Sequence, residues 1–312
     1  MTVYVLHENP DWFPPFGRAF EAAGLDYQEW LLTTGTIDLD AAPPEGVFYN
    51  RLSASSHTRD HPWSKDYTRA ILEWLEAHGR RVVNGRAVVE MEVSKVRQLT
   101  RLRAFGIDVP RTVAVVGRED LVAAAGRFPT PFITKHNQGG KGLGVRRFDD
   151  LGTFRDYVAS DEFEQPVDGI TLLQEYVEPR NPFITRVETV GYRYVYAITA
   201  DTARGGFQLC PADACELDDQ GHPIQAESLF ALRAGFDSPL IGQIEAFAEA
   251  YQLEVAGFEF IEAADGRVLV YDVNTNTNYN PDVEAIAPRS GPGELARYLK
   301  TVLADVREPA RI

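Results

Sequence analysis

The stretch GFEFIEAADGRVLVYDVN, residues 257–274, limits the fold more than any other part of the chain. Asp265-Gly266 stands between two apolar runs, a strong hairpin signal because both residues tolerate the left-handed backbone of a tight turn. A two-residue loop there sets Ala264 opposite Arg267, Glu259 opposite Asp272, and Gly257 opposite Asn274. In that register Ile261 and Val270 flank the acid pair on its own face. Phe258, Phe260, Tyr271 and Val273 fall on the other, so the sheet is covered on both sides. Like charges directly opposite destabilise a ladder. Two desolvated carboxylates at that spacing share a proton or hold a cation. Asn274 adds a third oxygen donor, and such a set suits Mg²⁺, which fills its remaining positions with phosphate oxygens and water. The structural alternative is a solvent-facing Glu259 with Asp272 capping a turn.

The polar pattern runs on through YDVNTNTNYN, with Asp272, Asn274, Asn276, Asn278 and Asn280 on alternate positions. Asparagine is a poor strand former, so the strand is expected to end near Asn274. Asn276, Asn278 and Asn280, closed by Pro281, then form a loop whose amides line a substrate site or cap turns.

Composition removes several functional classes. The 312 residues allow two or three domains. Thirty-one basic residues against 46 acidic ones give a net charge of −15, which argues against a broad nucleic-acid surface. No apolar run is long enough to span a bilayer. The opening MTVYVLHENPDWF lacks a basic start and an apolar core, so a first strand of a cytoplasmic protein is expected rather than a signal peptide. Cys210 and Cys215 are too few for a disulfide framework or a four-cysteine metal site, and read as free thiols in a reducing compartment. No internal repeat is visible.

Residues 1–90 alternate short strands (TVYVL, VFYN, RVV) with an amphipathic helix between Ser64 and Gly79, whose apolar positions are Tyr67, Ala70, Ile71, Trp74 and Leu75. That alternation implies a small open α/β domain. A helix from about Glu90 to Ala104 follows and stops at Gly106. Further strands are expected where GIDVPRTVAVV leads the chain on, and at PFITK, GLGVRRF and ITLLQEYV, with helices at REDLVAAAGRF and Thr153–Ala159. The latter has capping-box spacing between Thr153 and Asp156. Long β-rich stretches flank Gly191, and a helix at Pro239–Tyr251 precedes the hairpin. His57 and His61 lie four apart, but SASSHTRDHP reads as a loop.

KHNQGGKGLGV, residues 135–145, joins two strands. Gly139, Gly140, Gly142 and Gly144 let backbone N–H groups approach a phosphate closely. The loop is neither GxxxxGK[ST] nor a strand-to-helix GxGxxG. A glycine-rich strand–loop–strand with a lysine on the strand is one way to hold ATP; a plain flexible hairpin is the other reading.

In order, Ser94-Lys95, GIDVPRT at 106–112, ITKHNQGGKGLGV at 133–145, LLQEYV at 172–177, and GFEF followed by DVN at 272–274 resemble the ATP-grasp superfamily. The similarity covers about residues 47–300. The branch it is most similar to is the RimK-type amino-acid ligases, which also have counterparts of Asn50-Arg51 and VVNG at 82–85. The resemblance implies an α/β and α+β chain: an N-terminal open α/β domain (1–90), a central subdomain with the glycine-rich loop (91–175) and a C-terminal subdomain with the Mg²⁺ site (176–312). ATP would be clamped between the last two. It implies that Lys95 and Lys135 contact phosphates, that Gln174, Glu175, Tyr176 and Val177 read the adenine edge, and that Arg186 binds the reacting phosphate or carboxylate. It also implies Glu259, Asp272 and Asn274 as ligands for Mg²⁺, with Mn²⁺ as an alternative.

Departures bear on substrate. Ile184-Thr185-Arg186 stands where D-I-R is usual, leaving Glu178 as the substitute partner for ribose. Phe207-Gln208-Leu209-Cys210 stands where F-R-x-N is usual, which points away from glutamate-tail addition; Cys210 would then lie near the acceptor side, with ordinary core packing as its other reading. His136 replaces a common proline. The resulting expectation is ATP-dependent amide formation from small-molecule or peptide carboxylates and amines, with Lys135 and Arg186 in catalytic roles. Arg51, Asn276 and Asn278 are substrate candidates, Arg51 having an ion-paired structural role as its alternative. A small-molecule kinase and a non-catalytic ATP-binding regulator are the competing readings, and a homo-oligomer is left open.

Overall fold

The computed structural model describes residues 1–140, 142, 144–206 and 228–307; Phe207–Cys210 and Cys215 lie outside the described residues. The first sheet is parallel and contains β1 (Thr2–His7), β2 (Tyr27–Leu31), β3 (Gly46–Asn50) and β4 (Arg81–Val83), in the order β2-β1-β3-β4. Parallel neighbours need crossover helices, supplied by α1 (Pro14–Ala22) and α2 (Ser64–Ala77). The periodicity read between Ser64 and Gly79 does form a helix, burying Ile71, Leu72 and Leu75. Sequence reasoning missed α1 and β2, although PPFGRAFEA begins with prolines suited to a first helical turn. The chain leaves β1 toward one edge and β3 toward the other. Their carboxyl ends therefore diverge at a switch point, where open α/β sheets leave a crevice.

Where one helix was expected from Glu90 to Ala104, there are two, α3 (Arg86–Glu92) and α4 (Lys95–Phe105). Ser94 takes an extended backbone and accepts a hydrogen bond from Arg97 N, so it caps a new helix instead of continuing the old one. Lys95 thereby becomes the first residue of α4, and Gly106 ends that helix with φ of 95°.

The second sheet is antiparallel. It contains β5 (Thr112–Val116), β6 (Phe132–His136), β7 (Arg146–Phe148) and β8 (Ile170–Glu175) in the order β5-β8-β6-β7, backed by α5 (Leu121–Ala125) and α6 (Leu151–Ala159). The cap of α6 is Asp150, which accepts from Thr153 N and Thr153 Oγ1 at 2.8 Å each, and not the expected Thr153. Aspartate outcompetes threonine because its carboxylate meets both donors at once.

The third sheet contains β9 (Phe183–Val190), β10 (Arg193–Asp201), β11 (Phe230–Leu232), β12 (Val255–Glu262) and β13 (Val268–Asn274), in the order β11-β10-β9-β12-β13. Between its strands lie α7 (Thr202–Gly205) and α8 (Pro239–Ala250); α9 (Pro281–Ile286) and α10 (Gly291–Arg307) follow it. Its apolar face, with Phe258, Phe260, Val270 and Val273, packs on Leu240, Ile244 and Phe247 of α8 and Leu99 and Leu102 of α4. Helix α10 instead joins a core with Val3, Val5 and Tyr49 of the first sheet. Among the described residues no helix is long and apolar enough to cross a membrane.

The β12–β13 hairpin differs from the expected one in two ways that cancel at the acids. Ala263 N donates to Arg267 O and Gly266, with φ of 92°, turns the chain, so the loop has three residues, Ala264 to Gly266. That shifts the register by one and pairs Phe260 with Val270. A bulge then inserts Tyr271 and restores Glu259 opposite Asp272 and Gly257 opposite Asn274. Val270 consequently lies in the apolar core, and Tyr271 turns toward the acids: the reverse of the faces expected for them.

Candidate active site

Across the third sheet the ladder sets Asp272, Glu259 and Arg186 in one row of neighbouring strands. Two positions along, on the same face, lie Asn274, Gly257 and Glu188. Strand alternation makes this face polar because the other carries the core. Arg186 Nη1 donates to Glu259 Oε1 at 3.1 Å, and Asn274 Nδ2 to the same oxygen at 3.1 Å. Tyr271 Oη donates to Glu259 Oε2 at 2.9 Å.

Lys95 closes over this row, its Nζ 2.5 Å from Asp272 Oδ1. Two contacts hold it there. Gln98 brackets Val273 with Nε2 to its carbonyl at 2.8 Å and its N–H to Oε1 at 3.1 Å, fixing α4 along the edge strand β13. Asn137, just after β6, accepts from Lys95 N at 3.1 Å with its carbonyl and from Val96 N at 2.8 Å with its side chain. Lys135, on β6, reaches Tyr271 O at 3.4 Å and stands 5.0 Å above that ring.

The charges are strongly coupled. Burial, and then Lys95, push Lys135 down to about 8, with Asp272 and Glu259 partly opposing. Burial would raise Asp272, but Lys95 and Lys135 outweigh it and hold the carboxyl below its usual value. Lys95, Lys135 and Arg186 thus stand against three acids, Asp272, Glu259 and Glu188, so charges of both signs are packed together here.

Glu259, Asp272 and Asn274 are therefore brought together as expected. Among the described residues no cluster of three or more His, Cys, Asp or Glu forms a metal cage. This donor set has two acids and an amide, which fits a cation that takes the rest of its shell from phosphates and water. The set also explains why Lys95 and Arg186 sit so close: they meet the acids' charge from the protein side.

These groups border a cleft of about 710 Å³ between the second and third sheets. Gly139, Gly140 and Gly142 line it beside the apolar Ile133, Val145, Val177, Ile184 and Ile261. Gln174, Glu175, Tyr176 and Glu178 line it too. The side chains of the first two face neighbours: Gln174 Nε2 donates to Thr112 Oγ1 at 2.8 Å, and Glu175 accepts from Arg267 and Arg111 N. Glu178 is exposed at the rim. His136 fills the space above Gly144, where a Cβ would come within 2.1 Å of its ring, so it shapes the base of the glycine loop.

At the far end, Asn276 and Asn278 line the cleft with Trp12, Ser53 and Ser55 from the switch point of the first sheet. Asn276 Oδ1 is buried with no hydrogen-bond partner among the described residues. Asn280 is instead the cap of α9, accepting from Asp282 N and Val283 N. Arg51 is not among the cleft-lining residues; it is 2 % exposed, and Nη2 donates to Thr277 O at 3.2 Å and Asn278 Oδ1 at 2.9 Å. Glu92 was missed. It accepts from Ala54 N, Thr275 N and Thr275 Oγ1, joining the switch-point loop to the loop beyond the hairpin. Glu188 and Thr277 were missed as well, although Glu188 shares the strand parity of Arg186.

No protein-family model matches the chain. Among curated proteins it is 29 % identical over 182 residues to a probable alpha-L-glutamate ligase of Xanthomonas oryzae pv. oryzae, matching 55 % of this chain and 60 % of that protein. A protein of the same description from Stenotrophomonas maltophilia is 26 % identical over 242 residues, 76 % of this chain and 74 % of the relative. Among solved structures, a RimK domain ATP-grasp protein from Sphaerobacter thermophilus superposes with a TM-score of 0.66 at 16 % identity, covering 96 % of this chain and all of the other. The D-cycloserine synthetase DcsG gives 0.68 at 20 % identity, covering 96 % and 99 %. The ATP-grasp ligase PsnB, solved with its minimal precursor, Mg and ADP, gives 0.65 at 18 % identity, covering 96 % of each chain. The chain has the ATP-grasp fold.

Proposed function

We propose that this chain is an ATP-dependent carboxylate–amine ligase that releases ADP and phosphate through an acyl phosphate. The observation that carries the reading is the row Asp272–Glu259–Arg186 closed over by Lys95 and Lys135 beneath a glycine-rich loop. Phosphoryl transfer needs positioning and charge neutralisation more than a covalent nucleophile, and those residues supply both. Glu259, Asp272 and Asn274 would hold Mg²⁺, which supplies positive charge to the phosphates when bound. On this reading the apolar lining from Ile133 to Val177 takes the base, and Glu178, exposed at the edge of the cleft, is the partner for ribose. The relatives are described as ligases and PsnB was solved with ADP and Mg, in keeping with this assignment.

In the first step a substrate carboxylate oxygen attacks the γ-phosphorus, and the bond to ADP breaks. Lys95, Lys135 and Arg186 balance the charge that passes to the leaving oxygen. An amine then attacks the acyl carbon, the C–N bond forms, phosphate departs, and the amine's proton goes to phosphate or water. The amine side is assigned to Trp12, Ser53, Ser55, Asn276 and Asn278, with Arg51 behind Asn278 as a support. Structural neighbours solved with peptide precursors support peptide as well as small-molecule substrates.

The experiment is a screen of carboxylic acids with ATP, Mg²⁺ and hydroxylamine, read as ADP and as hydroxamate. A hydroxamate equal in amount to the ADP is expected. ADP without hydroxamate would point to a kinase acting on a hydroxyl, and nucleotide binding without ADP to a regulator.

A further inference from the structure

We propose that Glu188 and Thr277 are positioning residues for Arg186, and that Thr277 carries this order onward to the amine-side wall. The inference rests on the ligase reading above, in which Arg186 meets the transferred phosphate. Arg186 Nε donates to Glu188 Oε1 at 2.6 Å, and Nη2 donates to Thr277 Oγ1 at 2.6 Å. The Thr277 hydroxyl donates in turn to Glu188 Oε2 at 2.7 Å. The three side chains therefore form a closed ring, with exposures of 4 %, 1 % and 0 %. Such a ring fixes a guanidinium in plane and rotation, because Nε and Nη2 are held from one edge.

The sheet makes room for it. Gly257 lies between Glu188 and Asn274 in the ladder, and a Cβ there would stand 2.6–2.8 Å from Nη2, Nε and Cζ of Arg186. Any larger residue would displace the guanidinium. With that edge engaged, Nη1 faces Glu259 at 3.1 Å, beside the expected metal ligands. Thr277 has a second connection: its carbonyl accepts from Arg51, which also holds Asn278 Oδ1. One residue thus joins the arginine of the phosphate side to the arginine behind the amine side. A buried carboxylate is costly unless paired, and none of the metal-holding roles requires Glu188.

The test is calorimetric binding of Mg·ADP and of Mg·AMPPNP, the non-hydrolysable imido analogue of ATP, to the full chain. Thr277→Val keeps the shape and removes the hydroxyl; Glu188→Gln keeps the shape and removes the charge. Each is expected to weaken Mg·AMPPNP about tenfold, the scale of one buried polar partner lost, with Mg·ADP unchanged. Thr277→Ser is expected to restore the native value. On an Arg186→Met background, Thr277→Val should add nothing, since the ring is already gone. Equal weakening of both nucleotides, or full additivity with Arg186→Met, would overturn the positioning role. If the native chain bound neither nucleotide, the ligase reading itself would fall, a result that needs no variant and is therefore distinct.

Discussion

The wall of the cleft that faces the expected phosphates carries its charge on regular elements: Lys95 opens α4, Lys135 stands on β6, and Arg186, Glu259 and Asp272 stand on three adjoining strands. The facing wall presents Ser53, Ser55, Asn276 and Asn278 from loops and Trp12 from a single 3-10 turn, with no formal charge among these five. Strands hold side chains at fixed spacing, which suits a reaction whose charge pattern does not vary with substrate. Loops vary without disturbing the core, which suits recognition. Under the function proposed above, the first wall would set the chemistry and the second the substrate. Thr277 ties the two together through Arg186 and Arg51, while Glu92 joins the two loops of the second wall.

Variants can break that division. Replacing Glu259 by Gln is expected to lower ADP release by about a hundredfold or more, the cost of one misplaced group at a transition-state charge site; a native rate would remove Glu259 from the chemistry. Lys135→Met should weaken ADP binding about tenfold, the scale of one charge-assisted hydrogen bond, measured by titration calorimetry. On the other wall, Asn278→Ala together with Ser55→Ala should raise the KM of the amine about tenfold, the scale of one or two hydrogen bonds, and leave ADP affinity unchanged. Loss of ADP affinity in that variant would mean that the walls are not separable.

The smallest effect concerns pH. Burial lowers Lys135 to about 8, so its charge is present below that value and lost above it. ADP affinity of the free protein should fall as pH rises through 8, and Lys135→Arg, charged throughout this range, should flatten the profile. A flat native profile would show that Lys135 keeps its charge.

The acid pair and its amide were legible in the sequence because strand parity is short-range and one turn sets it. The register nonetheless came out right through two compensating differences, a three-residue loop and a bulge at Tyr271. Neither leaves a sequence signal stronger than the Asp-Gly that suggested a two-residue turn. Lys95 was found by resemblance, while the helix break that places it was missed, since Ser94 as a cap competes with a plausible continuous helix. Thr277 and Glu92 escaped for another reason: each acts through partners far away in the chain, which no local pattern reports. Glu188 lies two residues from Arg186, but its second partner, Thr277, is 89 positions away. Arg51 was marked for substrate, yet it lies buried behind Asn278, a placement fixed by a contact across 227 positions. The slot for the base could be located from LLQEYV, but which side chains turn away from it could not.

The most direct test of the account asks whether the hairpin acids hold a metal that holds a nucleotide. ADP binding is measured with and without Mg²⁺ for the native chain and for Asp272→Ala combined with Asn274→Ala. The account predicts that Mg²⁺ strengthens ADP binding to the native chain and that the double variant loses this gain. A double variant with the full Mg²⁺-dependent gain would contradict the metal site, and with it the chemistry assigned to the charged wall.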